Sequence, residues 1–167
     1  MIFKGEFNSD LNRTVFNFGE KRANYHNHSS PKKLGFKDII LPSDFKILII
    51  DDDVDFLNAL KYRLTKKKID VVPVRSGYHA LEVLNENYFD LILLDLKMKG
   101  MDGVETFKKI RKIEPQPFVI IMTAHFKDDQ VEIVKKLKPF GFLNKPFDLD
   151  ELAPLIKKRI EEKNDGN

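Results

Sequence analysis

From Phe45 onward the apolar and polar positions follow two alternating rhythms. Lys46-Ile47-Leu48-Ile49-Ile50, Leu91-Ile92-Leu93-Leu94, Phe118-Val119-Ile120-Ile121-Met122 and Gly141-Phe142-Leu143-Asn144 are short apolar runs bounded by charged or turn residues. Runs of that length and composition predict buried strands. Asp70-Val71-Val72-Pro73-Val74 is a fifth. Proline has no N–H for the ladder, which places this strand at a sheet edge. The intervening segments carry a helical period. Phe56, Leu57, Leu60 and Leu64 predict a helix from Asp55 to Lys68, closed by lysines that suit the negative end of its dipole. Ser76 caps a helix running to about Asn87, Val104, Phe107, Ile110 and Ile113 share one face of a third, and residues 127–137 form a fourth that Pro139 stops. Asp148 and Glu151 have capping-box spacing for the last helix. Pro154 inside that helix predicts a late start or a kink. Strands alternating with helices in this way imply right-handed crossovers and a parallel sheet covered on both faces.

Residues 1–44 share neither rhythm. His26-Asn27-His28-Ser29-Ser30-Pro31-Lys32-Lys33 reads as linker, and Thr14-Val15-Phe16-Asn17-Phe18-Gly19 alternates weakly as a short strand. His26 and His28 have no third ligand nearby and read as solvated loop residues. The expected division is a flexible N-terminal extension over 1–44, a folded domain over 45–163 and a tail over 164–167. A chain of 167 residues with 42% hydrophobic content can bury a sizeable core. It has no apolar run near the ~20 residues that span a bilayer, and no secretory signal at its start. With no cysteine there are no disulfides or metal thiolates, in keeping with a cytoplasmic, non-membrane protein. The net charge of +3 is mild and forms no basic stripe, so a nucleic-acid partner is not expected.

Four of the apolar runs end on polar landmarks. These are Asp51-Asp52-Asp53, then Asp95, then Thr123-Ala124, then Lys145-Pro146. In open parallel α/β sheets, ligands bind outside the carboxyl ends of the strands. Several carboxylates, a hydroxyl and an ammonium meeting there suit a divalent metal plus a phosphoryl group.

The order and spacing of these landmarks, together with Gly100-Met101-Asp102-Gly103 and Asn144-Lys145-Pro146-Phe147, resemble the receiver domain of two-component response regulators. The resemblance covers roughly Phe45 to Lys163, and five motifs in order make it specific. It implies a flavodoxin-like, doubly wound, five-stranded parallel sheet of order 2-1-3-4-5 with five helices. It also implies that Asp95 accepts a phosphoryl group from a histidine kinase or phosphotransfer protein. Mg²⁺ is the implied cofactor, held by Asp51, Asp52, Asp95 and the main-chain carbonyl of Lys97, with Asp52 direct and Asp51 through water. Lys145, before a cis Pro146, pairs with a phosphoryl oxygen. Thr123 bonds the phosphoryl group and shifts toward it. Phe142 stands where receivers carry a switch aromatic, with ordinary core packing as the alternative reading. Asp53 solvates or caps the helix that follows it. Lys97 and His125 flank the water that removes the phosphate. Lys99 departs from the family pattern, which often has Pro there, and Lys138-Pro139 stands where Gly-Ala is usual.

The expected function is therefore phosphorelay signalling by a protein that promotes only its own phosphoryl transfer and dephosphorylation and is not otherwise an enzyme. Two other readings compete. One is a haloacid dehalogenase-like phosphatase, for which Asp51 and Asp53 fit the acid pair but Asp55 occupies a Thr/Val position. The other is a phosphorylation-independent binding module, against which the intact residue set argues. No output segment follows Asn167 in the sequence, so the signal is expected to leave through a surface to a downstream protein. The face of helix four, strand five and helix five is favoured, its Lys135, Lys136, Lys138, Lys157, Lys158 and Arg159 suiting an acidic partner. The N-terminal extension is the rival output element.

Overall fold

A computed structural model describes residues 6–8, 13–15, 34–114, 116–126 and 128–165. The chain forms two units, Met1–Lys32 and Lys33–Asn167. In the first, Glu6–Asn8 pairs antiparallel with Arg13–Val15. This places a strand over part of the weakly alternating segment. Residues 16–19 and both His26 and His28 lie outside the described residues.

The second unit runs β1 (Lys46–Ile50), α1 (Val54–Thr65), β2 (Asp70–Val74), α2 (Gly77–Glu86), β3 (Leu91–Asp95), α3 (Gly103–Ile110), β4 (Val119–Thr123), α4 (Asp129–Lys136), β5 (Gly141–Asn144) and α5 (Leu149–Asp165). The five strands form one parallel sheet in the order β2-β1-β3-β4-β5, with Pro73 on the edge strand as expected. Alternate side chains on a strand face opposite sides, so each apolar run feeds two cores. Ile47, Ile49, Leu91, Leu93, Ile120 and Met122 pack with α1 and α5. Leu48, Ile50, Ile92, Leu94 and Ile121 pack with α2, α3 and α4.

The caps follow from local chemistry. Asp53 accepts from the N–H groups of Asp55 and Phe56 at the start of α1, and Ser76 accepts from His79 N–H at the start of α2. Glu151 accepts from Asp148 N–H at 3.0 Å, which is one half of the expected capping box. α1 and α3 end earlier than their apolar stripes suggested, because the last turn of each loosens. Ile69 N–H reaches back to Leu64 O while Lys68 turns left-handed at φ 63°. α5 does not start late, since it begins at Leu149 and includes Pro154. It also continues past Lys163, where a tail was expected. Among the described residues no helix is long and apolar enough to cross a membrane.

Two further expectations are corrected. The boundary placed at Phe45 lies near Lys33 instead. A 3-10 turn over Phe36–Asp38 docks on α5: Phe36 is 4% exposed within the α1/α5 core, and its N–H donates to Asp150 Oδ1 at 2.8 Å. Arg159 does not lie on the output face. It is buried at the amino edge of the sheet, where its Nε donates to Asp90 O at 2.9 Å, its NH2 group donates to Tyr88 Oη at 2.7 Å, and its guanidinium stacks on Phe118. Three lysines of that face have acidic neighbours on their own helices, Lys135 with Glu132, Lys157 with Glu161 and Lys158 with Glu162, so the face is less basic than its composition suggests.

Candidate functional site

Strand register brings the landmarks to one edge. Ile50 pairs with Leu94, Asp95 with Met122, and Thr123 with Asn144. Asp51, Asp95, Thr123 and Lys145 therefore sit side by side at the carboxyl end of the sheet. Asp51 is buried, with its N–H on Val74 O and its Oδ1 accepting Asp53 N–H at 3.0 Å. Asp95 is nearly buried, and its Oδ2 accepts Lys97 N–H at 2.8 Å. Asp52 is half-buried, and its Oδ2 accepts Lys99 N–H at 3.0 Å. Proline could not make that last bond, so the departure at Lys99 ties its loop to the acidic cluster.

Lys145 follows β5 across a cis bond to Pro146. Its N–H donates to Thr123 O at 2.8 Å, which carries its side chain back over the sheet edge. Its ammonium bridges Asp51 and Asp95, 2.7 Å from Asp95 Oδ1, and lies 4.3 Å from the centre of the Phe56 ring. Burial pushes the Asp51 carboxyl above the usual carboxylate range, and the bond from Lys145 opposes that rise. Oxygens of Asp51, Asp52 and Asp95 lie within 4.8 Å of one another. Oxygens this close, all from carboxylates, are the donor type that Mg²⁺ prefers, and these three residues would hold it. Three carboxylates against one ammonium also leave the cluster with the negative charge a divalent ion balances. The residues fit the metal.

Thr123 is buried at the end of β4, and its Oγ1 accepts His125 N–H at 3.1 Å. The acceptor role leaves the hydroxyl proton free to be donated. Phe142 is half-buried on β5, with its ring 6.1 Å from that of Phe126 in the loop that follows Thr123. The candidate switch aromatic thus touches the loop that carries the candidate hydroxyl. Asp53 caps α1 and stays out of the cluster.

The sequence reading gave no role to three further features. Asp102 caps α3, accepting from Glu105 N–H at 2.8 Å. A Cβ on Gly103 would meet Asp95 O at 2.1 Å, so only glycine lets α3 start this close to the end of β3. Asp128 caps α4 and pairs with Lys97 Nζ at 2.6 Å, and the Lys97 ammonium holds the Asp128 carboxyl below its usual range. A cap is detectable from Asp128-Asp129-Gln130, but a partner in another loop is not.

A five-stranded parallel sheet with acids, a hydroxyl and a lysine along one carboxyl edge defines a receiver-type protein. The family model described as response regulator receiver domain matches residues 47–157, and the chain belongs to that family. It is 39% identical over 116 residues to the transcriptional regulatory protein GlrR of Escherichia coli (strain K12), covering 70% of this chain but 26% of that protein. It is 36% identical over 115 residues to the sporulation initiation phosphotransferase F of Bacillus subtilis (strain 168), covering 69% of this chain and 93% of that one. Among solved structures, a response regulator receiver domain protein from Clostridium thermocellum superposes with a TM-score of 0.66 at 31% identity, covering 72% of this chain and 97% of the other.

Proposed function

We propose that the protein relays a signal by accepting a phosphoryl group on Asp95 from the phosphohistidine of a histidine kinase or phosphotransfer protein. The supporting observation is the position of Asp95, nearly buried between Asp51, Asp52 and Lys145. An oxygen of Asp95 attacks phosphorus, the phosphorus–nitrogen bond breaks, and its electron pair leaves on the imidazole. Asp51, Asp52, Asp95 and the carbonyl of Lys97 would hold Mg²⁺, which when bound would supply positive charge to offset that of the carboxylate and the phosphoryl group. The Lys97 N–H fixes one oxygen of Asp95 and so sets the orientation of the carboxylate. Lys145 exchanges its Asp95 partner for a phosphoryl oxygen, and the Thr123 hydroxyl donates to another. Movement of Thr123 toward the phosphoryl group draws on its loop, which Phe126 and Phe142 connect to β5.

The protein on this reading turns over no separate substrate. The phosphatase alternative is disfavoured because Asp53, its second acid, is committed to capping α1. Similarity to sporulation initiation phosphotransferase F over nearly its whole length supports a phosphorelay role. The test is incubation with acetyl phosphate and Mg²⁺, followed by intact mass measurement. Wild type gains one phosphoryl group and Asp95→Asn gains none. Full labelling of the Asn variant, or catalytic release of phosphate from p-nitrophenyl phosphate, would sink this reading.

A further inference from the structure

Two loops flank Asp95. The loop after β3 carries Lys97, and the loop between β4 and α4 runs from Thr123 to Asp128. Among the described residues one side-chain ion pair joins them, Lys97 Nζ to Asp128 Oδ2 at 2.6 Å. The two partners are unequal. Asp128 is fixed at a helix start: its N–H donates to His125 O at 3.2 Å, and its Oδ1 accepts Gln130 N–H at 3.1 Å. Gln130 in turn donates through Nε2 to Asp102 Oδ2 at 3.3 Å, joining the α4 cap to the α3 cap. The Lys97 side chain is 56% exposed on a flexible four-carbon stem, whereas that of Asp128 is 24% exposed. The backbone of Lys97 is held against Asp95 by its own N–H, so its stem begins beside the phosphoacceptor.

We propose that Asp128 is a positioning residue for loss of the phosphoryl group: it parks the Lys97 ammonium on the rim of the site and thereby sets the lifetime of phosphorylated Asp95. The inference rests on the receiver reading. In the hydrolysis, water oxygen attacks phosphorus on the side opposite Asp95. The bond from phosphorus to the Asp95 oxygen breaks and its electron pair stays on the carboxylate. Inorganic phosphate leaves, and the proton of the water passes to solvent. An acyl phosphate bears one to two negative charges and competes with Asp128 for the nearest mobile ammonium. While Lys97 sits on Asp128, the solvent side of the phosphorus is open to water. When Lys97 sits on the phosphoryl oxygens, it covers that approach. The balance between the two anions governs the rate.

The test compares decay of the phosphoryl label in the full chain. Protein is labelled with acetyl phosphate and Mg²⁺, freed of donor and followed by intact mass. Asp128→Asn keeps a side-chain oxygen for Gln130 N–H, so α4 stays capped while the charge is lost. It should lengthen the half-life by about threefold, the size of change an exposed ion pair supports. Asp128→Glu, which keeps the charge, should stay nearer wild type. In a Lys97→Ala background, Asp128→Asn should have no effect, an outcome that a purely structural role for Asp128 does not produce. Equal decay of wild type and Asp128→Asn, faster decay, or the same shift with and without Lys97 overturns the proposal. Failure of wild type to label removes the receiver reading itself, and the two failures are thereby distinguishable.

Discussion

Phe36 tests whether the segment before β1 is part of the domain. Its ring is 4% exposed in the α1/α5 core, and its N–H donates to Asp150 Oδ1 in the first turn of α5. Phe36→Ala removes a buried ring and leaves a hole that the surrounding helix and strands only partly close. Full burial of a Phe side chain is worth up to about 3 kcal/mol, and the cavity adds to it, so a loss of about 3–4 kcal/mol is expected. At about 3 °C per kcal/mol for a domain of this size, the melting temperature should fall by about 10 °C. Ile40→Ala is the matched control, since Ile40 is 91% exposed four residues away and should stay within about 0.5 kcal/mol of wild type. The assay is thermal unfolding of the full chain followed by far-UV circular dichroism, with urea unfolding as a check on the free energy. A shift under about 2 °C for Phe36→Ala, no larger than that of Ile40→Ala, would mean that the segment belongs to the flexible extension after all.

Three other predictions follow from single features. Lys138 sits just past α4 at φ 53°, a left-handed conformation that costs a residue with a Cβ about 1 kcal/mol, so Lys138→Gly should raise the melting temperature by a few degrees, and a fall would refute the strain. Mg²⁺ at a hundred times its dissociation constant should stabilise wild type by about 2.7 kcal/mol in thermal unfolding and leave Asp52→Ala unmoved; equal shifts in both would count against the cluster as its site. The Asp90 carboxylate bonded to Lys163 raises the ammonium's pKa on folding. That contribution is fully present below about pH 10.4, the unfolded value, and is lost as pH rises through the folded one. The stability gap between wild type and Lys163→Met should therefore shrink above about pH 10.4, and a constant gap would contradict the assignment.

Local sequence determined most of what is periodic or terminal. Apolar runs marked the strands because a residue buried on either face of a sheet must be apolar. The edge position of β2 was legible because Pro73 has no N–H to give. Caps at Asp53 and Ser76 were legible because a cap bonds its own next turn. The landmark residues were legible because each ends a strand, and parallel strands share one carboxyl edge. The segment around Phe36 gave no such signal: one aromatic anchoring an irregular turn has no period, and its partner Asp150 lies 114 residues away. Burial of Arg159 was equally hidden, since an arginine on a helix looks solvated until Asp90, Tyr88 and Phe118 are placed around it. The Lys97 and Asp128 pair depends on how two loops approach across the sheet edge. Tertiary packing decides such contacts because it sets distances between residues that chain proximity leaves unconstrained.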